Sequence, residues 1–449
     1  MKQTKQILLN AFNMNCVGHI NHGLWTHPRD RSHEYKRLDY WTDLARTLER
    51  GLFDGLFLAD IVGVYDIYQG SVDLTLKESI QLPVNDPSML VSAMAAVTRD
   101  LGFGITVNTG VEHPYTFARR MSTLDHLTGG RIGWNIVTGY LDSAAHALGQ
   151  NGMIAHDDRY ERADDYLDLL YKLWEGSWDD DAVVLDKARR IYAEPERVRK
   201  IRHEGPYYRS HGYHLAEPSP QRTPVLYQAG ASGRGKRFAA RHAECIFIGA
   251  TDPAAARRTV QALREEVVAA GRRPGDVKIF LGITVVAGRT VAEAEDRLSD
   301  YLDHASPEAG LAHFSAGSGV DVSRYDLDEP ILYGKGNAIQ SVTQVAREKG
   351  WTRRQLLKEL AIGGRYPLIV GDGAKVAAEL IRWVEESGID GFNLTRTVVP
   401  ESYETFIDVV VPELQARGAY KTSYAGGSLR NRLFGYGDRL SSMHYARTL

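Results

Sequence analysis

Residues 101–109, LGFGITVNT, and residues 131–138, RIGWNIVT, are two apolar, β-branched runs that end in small polar side chains, and each leads into a helical pattern. The first passes through Pro114 into FARRMSTLDHLT, the second through a polar loop into HDDRYERADDYLDLLYKLW. Strands alternating with helices imply a parallel sheet, because parallel neighbours need a long crossover and a helix supplies it. In such folds ligands gather at the carboxyl ends of the strands. Thr106, Asn108, Asn135 and Thr138 occupy those ends and are the first candidates for chemistry.

The same unit recurs on both sides of this stretch. QILLNAF (6–12) reads as a first strand and GLFLAD (55–60) as a second, with Asp60 emerging at its carboxyl edge. TPVLYQAG (223–230), ECIFIG (244–249), KIFLGITVVAG (278–288) and GFNLT (391–395) complete eight. Between them, Trp41, Leu44, Ala45 and Leu48 share one helical face, Val260, Leu263 and Val267 another, and Val376, Leu380, Trp383 and Val384 a third. YETFIDVVVPELQARG reads as the closing helix. Eight β/α repeats point to a (β/α)8 barrel rather than an open sheet. The alternation breaks at about 177–222 and 306–366, which read as insertions, and residues 419–449 form a tail; all of 1–449 is expected to be one domain. An insertion after the seventh strand would lie over the strand ends and act as a lid.

Composition narrows the partners. The chain of 449 residues is 43% hydrophobic and 25% charged, with a formal net charge of -3, so neither nucleic acid nor an anionic membrane is expected. No apolar run approaches the roughly 20 residues needed to cross a bilayer, and the amino terminus lacks a leader pattern, so a cytoplasmic protein is expected. Cys16 and Cys245 are too few and too far apart for a disulfide framework and read as buried thiols. His19, His22 and His27 lie in a long polar loop without a carboxylate at ligand spacing, so they read as the lining of a pocket mouth and no metal is expected.

Gly230, Gly235 and Lys236 satisfy G-x-x-x-x-G-K, but Arg237 stands where a nucleotide-binding P-loop needs Ser or Thr to hold magnesium. What remains is a glycine-rich turn at a helix amino terminus, whose free N–H groups and dipole favour a phosphate. His156 and Tyr160, four residues apart, share one face of the long helix's first turn. The nucleophile elbow, the zinc H-E-x-x-H and the dinucleotide G-x-G-x-x-G are all absent, which argues against a hydrolase, a metalloprotease and a built-in nicotinamide domain. One phosphate turn beside a polar strand-end pocket suits flavin mononucleotide or a sugar phosphate equally.

LERGLFDGLFLAD, STLDHLTGGRIGWNIVT, HDDRYERADDYLDLLYKLW, EPSPQRTPVLYQAGASGRGKRFAA and the terminal VVPELQARG and GSLRNRL, in this order, resemble one family across nearly the whole chain. It is the flavin-dependent monooxygenases of the bacterial luciferase-like superfamily, in the group of nitrilotriacetate, dibenzothiophene sulfone and dimethyl sulfide monooxygenases. The resemblance implies a barrel that binds reduced FMN (FMNH2) supplied by a separate NAD(P)H:flavin reductase. It further implies oxygenation of a small organic compound, an organosulfur compound among the candidates, by O2 through a flavin C4a-(hydro)peroxide, and a homodimer or homotetramer. Asp60, Thr106, His156, Tyr160 and Ser232 match the family's flavin contacts, with Asn108 and Thr138 as weaker additions; no catalytic side chain is assigned. A barrel enzyme acting on a sugar phosphate and a non-catalytic flavin-binding protein are the competing readings.

Overall fold

The computed structural model describes residues 5–230, 232–332 and 350–449. Nine strands, β1 (Leu8–Met14), β2 (Gly55–Ala59), β3 (Gly102–Asn108), β4 (Ile132–Val137), β5 (Val225–Gln228), β6 (Cys245–Ile248), β7 (Lys278–Gly288), β8 (Leu368–Asp372) and β9 (Gly391–Thr395), form one sheet. All its pairings are parallel, and eight strands close a ring in the order β1, β2, β3, β4, β5, β6, β7, β9 and back to β1. The eight expected strands are those of the ring.

The ninth strand, β8, was not expected, and its origin lies in the length of β7. β9 pairs with Phe280 to Thr284 of β7, whereas β8 pairs with Thr284 to Gly288. The 11 residues of β7 outrun the ring, and the backbone groups left over take another partner. β8 is only five residues, LIVGD, and its apolar run of three is too short to read as a strand.

Helices cover the outside: α1 (Leu38–Arg50), α2 (Ser88–Ala96), α3 (Pro114–Thr128), α4 (His156–Gly176), α5 (Gly233–His242), α6 (Pro253–Ala269), α7 (Val291–His304), α8 (Pro307–Ser318) and α9 (Gly373–Ser387). The three helical faces singled out in the sequence are buried as expected, on α1, α6 and α9. Each fully buried Leu or Val contributes about 1.5–3 kcal/mol. The closing helix is not uniform. Pro412 has no N–H to donate, and the turns widen over Phe406–Val410, where the Val411 N–H reaches back five residues to the Phe406 carbonyl.

Inside the ring, Phe12, Phe57, Tyr227, Phe247 and Phe280 meet edge to face or tilted, with Phe12 5.1 Å from Phe247 and Phe57 5.4 Å from Tyr227. Tyr366 stacks on Phe247 at 5.7 Å above this layer, and a Cβ on Gly282 would fall 2.4 Å from its ring, so only glycine leaves it room. At the amino ends of the strands, the tail folds back through the helix Leu429–Phe434. There Arg430 and Glu244, both fully buried, pair at 2.7 and 2.8 Å.

Insertion 177–222 carries two antiparallel hairpins, Val183–Asp186 with Ile191–Ala193 and Ile201–Glu204 with Arg209–Gly212. It is tied to α4 through Asp165, which accepts the Tyr207 and Tyr208 N–H groups at 2.8 and 2.7 Å and meets His203 at 2.8 Å. Insertion 306–366 contributes α8 and the helix Arg353–Glu359; its residues 333–349 lie outside the described residues. Its described part shares a buried cluster with Tyr65, Tyr68 and Ile80 from the loop after β2 and Leu141 and Ala144 from the loop after β4. It therefore sits on the carboxyl-end face of the barrel.

Candidate functional site

Three of the expected site residues converge after β5. Ser232 caps α5 by accepting the Gly235 N–H at 2.9 Å, and its Oγ lies 3.4 Å from His156 Nε2. His156 and Tyr160 both stand in the first turn of α4, their rings 5.2 Å apart. Behind them is Gly235, where a Cβ would come within 2.9 Å of the Ser232 hydroxyl and within 2.9 Å of the Tyr160 hydroxyl. A side chain there would fill the hollow; glycine leaves it open to a ligand. The buried Gln228 Oε1, at the end of β5, has no hydrogen-bond partner. Hydroxyls, an imidazole and a helix amino terminus together suit a phosphate. Arg234 points elsewhere, into an ion pair with Asp164, and its guanidinium carbon lies 5.5 Å from the Tyr160 ring centroid.

The other four candidates divide. Thr106 is buried opposite Asn135 in the β3–β4 register, and the Asn135 amide donates to its hydroxyl at 2.9 Å, while Asn135 Oδ1 is left unpaired. This is a polar step on the inner wall at the strand ends. Asn108 spends its Oδ1 on the Gly110 N–H at 2.8 Å and thus shapes its own turn. With Thr138 it lines a second hollow beside Gly139, Met153 and Arg159 that does not include Ser232 or Tyr160. Asp60 stands half-buried at the end of β2, and burial pushes its carboxyl up to about 7.

A polar cluster at the same face went unrecognised in the sequence. His22 Nε2 and His313 Nδ1 meet at 3.0 Å, and His313 stacks on Tyr65 at 5.1 Å with 14° between the planes. The Tyr65 hydroxyl donates to Gln81 Oε1 at 2.8 Å and meets the Tyr140 hydroxyl at 3.1 Å. Cys16 is buried, its Sγ 3.1 Å from the Gly18 carbonyl, and burial raises its thiol to about 12, far from a thiolate. Burial and the nearby Arg396 hold His22 down to about 3 and His19 well below its ordinary value; burial also holds His313 down. These imidazoles are therefore neutral. The cluster offers hydrogen bonds in a dry setting rather than charge. His19 and His22 belong to the polar lining that the loop suggested; His22 finds its partner, His313, 291 positions away, which no local spacing reveals.

His27 lies apart from this cluster, with Asp300 and His304 of α7, ligand atoms all within 4.8 Å of one another. The hydrogen bonds show how this group is used. His27 Nδ1 accepts the Arg29 N–H at 3.2 Å, so its Nε2 carries the proton and donates to Asp300 at 3.0 Å. Arg29 Nη2 also reaches that Asp300 oxygen at 2.9 Å. With that tautomer Nε2 has no lone pair for a metal.

What the geometry defines is a (β/α)8 barrel whose strand ends carry one anion-accepting turn and a buried polar chamber. The chain belongs to the luciferase-like monooxygenases, whose family model matches residues 20–391. It is thus an oxidoreductase, and the sugar-phosphate reading falls away. It is similar to the dimethyl-sulfide monooxygenase of Hyphomicrobium sulfonivorans, 48% identical over 447 residues covering 98% of this chain and 93% of that one. It is equally similar to the long-chain alkane monooxygenase of Geobacillus thermodenitrificans (strain NG80-2), 48% identical over 445 residues covering 99% and 98%. A crystal structure of long-chain alkane monooxygenase superposes with a TM-score of 0.91, covering 99% of each chain. A riboflavin lyase solved with modified FMN and riboflavin superposes with a TM-score of 0.93 at 39% identity, covering 99% of each chain. Among the described residues no helix is long and apolar enough to cross a membrane.

Proposed function

We propose that this chain is the oxygenating component of a two-component FMNH2-dependent monooxygenase acting on a small organosulfur compound. The observation that carries the reading is the convergence of Ser232, His156 and Tyr160 on a hollow that only glycine at position 235 leaves open. The riboflavin lyase solved with modified FMN supports FMN as the occupant, and the dimethyl-sulfide relative supports a sulfur substrate. When bound, the reduced flavin would activate dioxygen.

The chain's own residues would do the holding and the sheltering. Ser232 and Tyr160 would donate to the phosphate and His156 would complete its grip. Thr106 and Asn135 would face the flavin from the strand ends, with Asn108 and Thr138 at the margin. Asp60, poised near neutral pH, would hold or release a proton beside it. The neutral pair His22 and His313 and the Tyr65 hydroxyl would line the substrate side and keep bulk water out, with insertion 306–366, which supplies His313, acting as the lid over the strand ends. In this reading a separate NAD(P)H:flavin reductase supplies the cofactor, and the protein works in the cytoplasm as a homodimer or homotetramer.

The test is oxygen-dependent product formation. The chain, FMN, a flavin reductase and NADH are mixed with sulfides, sulfones and thioethers, and products are read by mass spectrometry with labelled oxygen. Incorporation of one labelled atom supports the reading. Flavin binding without product would make this a flavin-binding protein, and rapid NADPH oxidation by the chain alone would remove the separate reductase.

A further inference from the structure

We infer that Arg365 makes the substrate an organic monoanion: a compact apolar body ending in a carboxylate, sulfinate or sulfonate. The inference deepens the monooxygenase reading and rests on it. A cavity beside the His22 and His313 pair is walled by Ile20, Phe314, Leu360 and Gly364 and carries two polar side chains, His313 and Arg365. His313 is neutral, so among the described residues the guanidinium is the one charge in the lining.

The charge of Arg365 is not answered by an opposite charge among the described residues. Among the described residues no carboxylate pairs with it; its guanidinium donates to the neutral Tyr366 hydroxyl, and the other groups that feel its charge, Tyr65, Tyr140 and His313, are uncharged as well. Other arginines drawn into the fold have acceptors: Arg430 has Glu244, Arg222 has Asp180, and Arg396 has the carbonyls of Cys16 and Val17. A guanidinium cannot shed its proton and presents a planar fork of donors, so one facing a mainly apolar cavity is matched by a planar or tetrahedral oxyanion.

The walls set the size of that partner. A Cβ on Gly364 would fall 2.8 Å from Ile20 Cγ2, and one on Gly310 would fall 2.8 Å from Leu360 Cβ, so the lining is already at close contact. Ile20 itself has φ of 62°, a left-handed conformation costly for a β-branched residue, and the neighbouring Asn21 is tied across the cavity's edge to the Gly363 N–H at 2.7 Å. The surroundings hold Ile20 in place against that cost. One cation in a narrow apolar hollow suits one anionic group and disfavours a polycarboxylate.

The test uses matched sulfides, 3-(methylthio)propanoate and ethyl methyl sulfide, with the full chain, FMN, a flavin reductase and NADH. The anion is expected to have the higher kcat/KM. In Arg365→Met the ratio of the two should fall about ten- to a hundredfold, the range for losing a hydrogen bond to a charged group, and Arg365→Lys should recover part of it. A second arm reads calorimetric binding of 3-(methylthio)propanoate without turnover, expected in the wild type and lost in Arg365→Met while FMN affinity is kept. Oxygenation that favours the neutral sulfide overturns the inference and leaves the monooxygenase standing. An equal loss of FMN affinity in Arg365→Met also overturns it, by giving the guanidinium to the flavin. If neither sulfide is oxygenated, the monooxygenase reading fails, whereas Arg365-dependent binding of the anion still supports this cavity as an oxyanion receptor and absence of binding removes it.

Discussion

His22 and His313, 291 residues apart in the chain, share one hydrogen bond of 3.0 Å between Nε2 and Nδ1. One ring must donate and the other accept, so the accepting ring is neutral, and the burial that holds His22 down to about 3 and His313 well below its ordinary value makes both neutral. This has a consequence for stability. The unfolded chain takes up protons on these rings as pH falls through about 6.5, whereas the folded chain does not until far lower, so stability present above that pH is lost as the solution is acidified. His313→Phe should cost about 1–3 kcal/mol at neutral pH by stranding His22, and should flatten the fall in Tm between pH 6.5 and 4. Calorimetry of both proteins across that range checks it; parallel profiles would mean that the pair does not titrate as described.

Asp60 has the opposite sign. Its carboxyl is pushed up to about 7 by burial, so between its ordinary value and 7 the folded chain keeps a proton that the unfolded chain has released. Stability therefore falls as pH rises through this window, and the full cost is present above pH 7. Asp60→Asn should be about 1–2 kcal/mol more stable than the wild type at pH 8, allowing for partial exposure, and no more stable at pH 4. Urea unfolding at the two pH values distinguishes this from a uniform effect.

The barrel was legible because its signals are local. β3 and β4 announce themselves by β-branched runs, and α1, α6 and α9 by apolar residues at helical spacing that are in fact buried. The turn at Ser232 was legible for the same reason, since a cap and its glycine lie three residues apart. The chamber was not. Tyr65 and Gln81 come from the loop after β2, Tyr140 from the loop after β4 and His313 from α8, and only the closed ring brings them together. Asn108 stands at a strand end, with its Oδ1 used by its own turn and its amide N–H groups left to face the strand-end hollow.

Arg430 illustrates a motif recognised by family resemblance whose physics appeared only in the fold. GSLRNRL lies in the tail, far from any catalytic loop, yet Arg430 reaches the Glu244 carboxylate and the carbonyls of Gln221, Thr223, Pro224 and Asp438. It joins the tail to the starts of β5 and β6. Arg430→Ala would leave Glu244 buried without its counter-ion and should cost about 3–5 kcal/mol. Because a well-packed apolar pair can replace a buried ion pair, Arg430→Met with Glu244→Leu should recover much of that loss. Thermal unfolding of the single and double variants tests both statements, and a double variant no better than the single would show that the carbonyl contacts, not the carboxylate, dominate.

The grip of Ser232 and Tyr160 separates capping from ligand binding. Ser232 already has a structural duty, since its hydroxyl oxygen accepts the Gly235 N–H and holds the first turn of α5. Its hydroxyl proton faces His156 Nε2 at 3.4 Å and would turn to a phosphate oxygen, as would the proton of Tyr160 across the Gly235 hollow. Removing a hydroxyl bond to a charged acceptor costs roughly 1.5–3 kcal/mol, so Ser232→Ala and Tyr160→Phe should each weaken FMN binding by about one to two orders of magnitude. Ser232→Ala should also lose about 1 kcal/mol of stability with no flavin present, because the cap is gone, whereas Tyr160→Phe keeps the ring and its packing on Phe238 and should lose little. Ligand-induced stabilisation grows as the ratio of free ligand to Kd, reaching about 2.7 kcal/mol at a hundredfold excess over Kd, so the two effects separate in a titration. Tm is measured against FMN concentration for the wild type and both variants. The expected pattern is a lower starting Tm for Ser232→Ala alone and a curve displaced to higher FMN for both; curves that coincide after correction for the starting Tm would take these hydroxyls out of the flavin site.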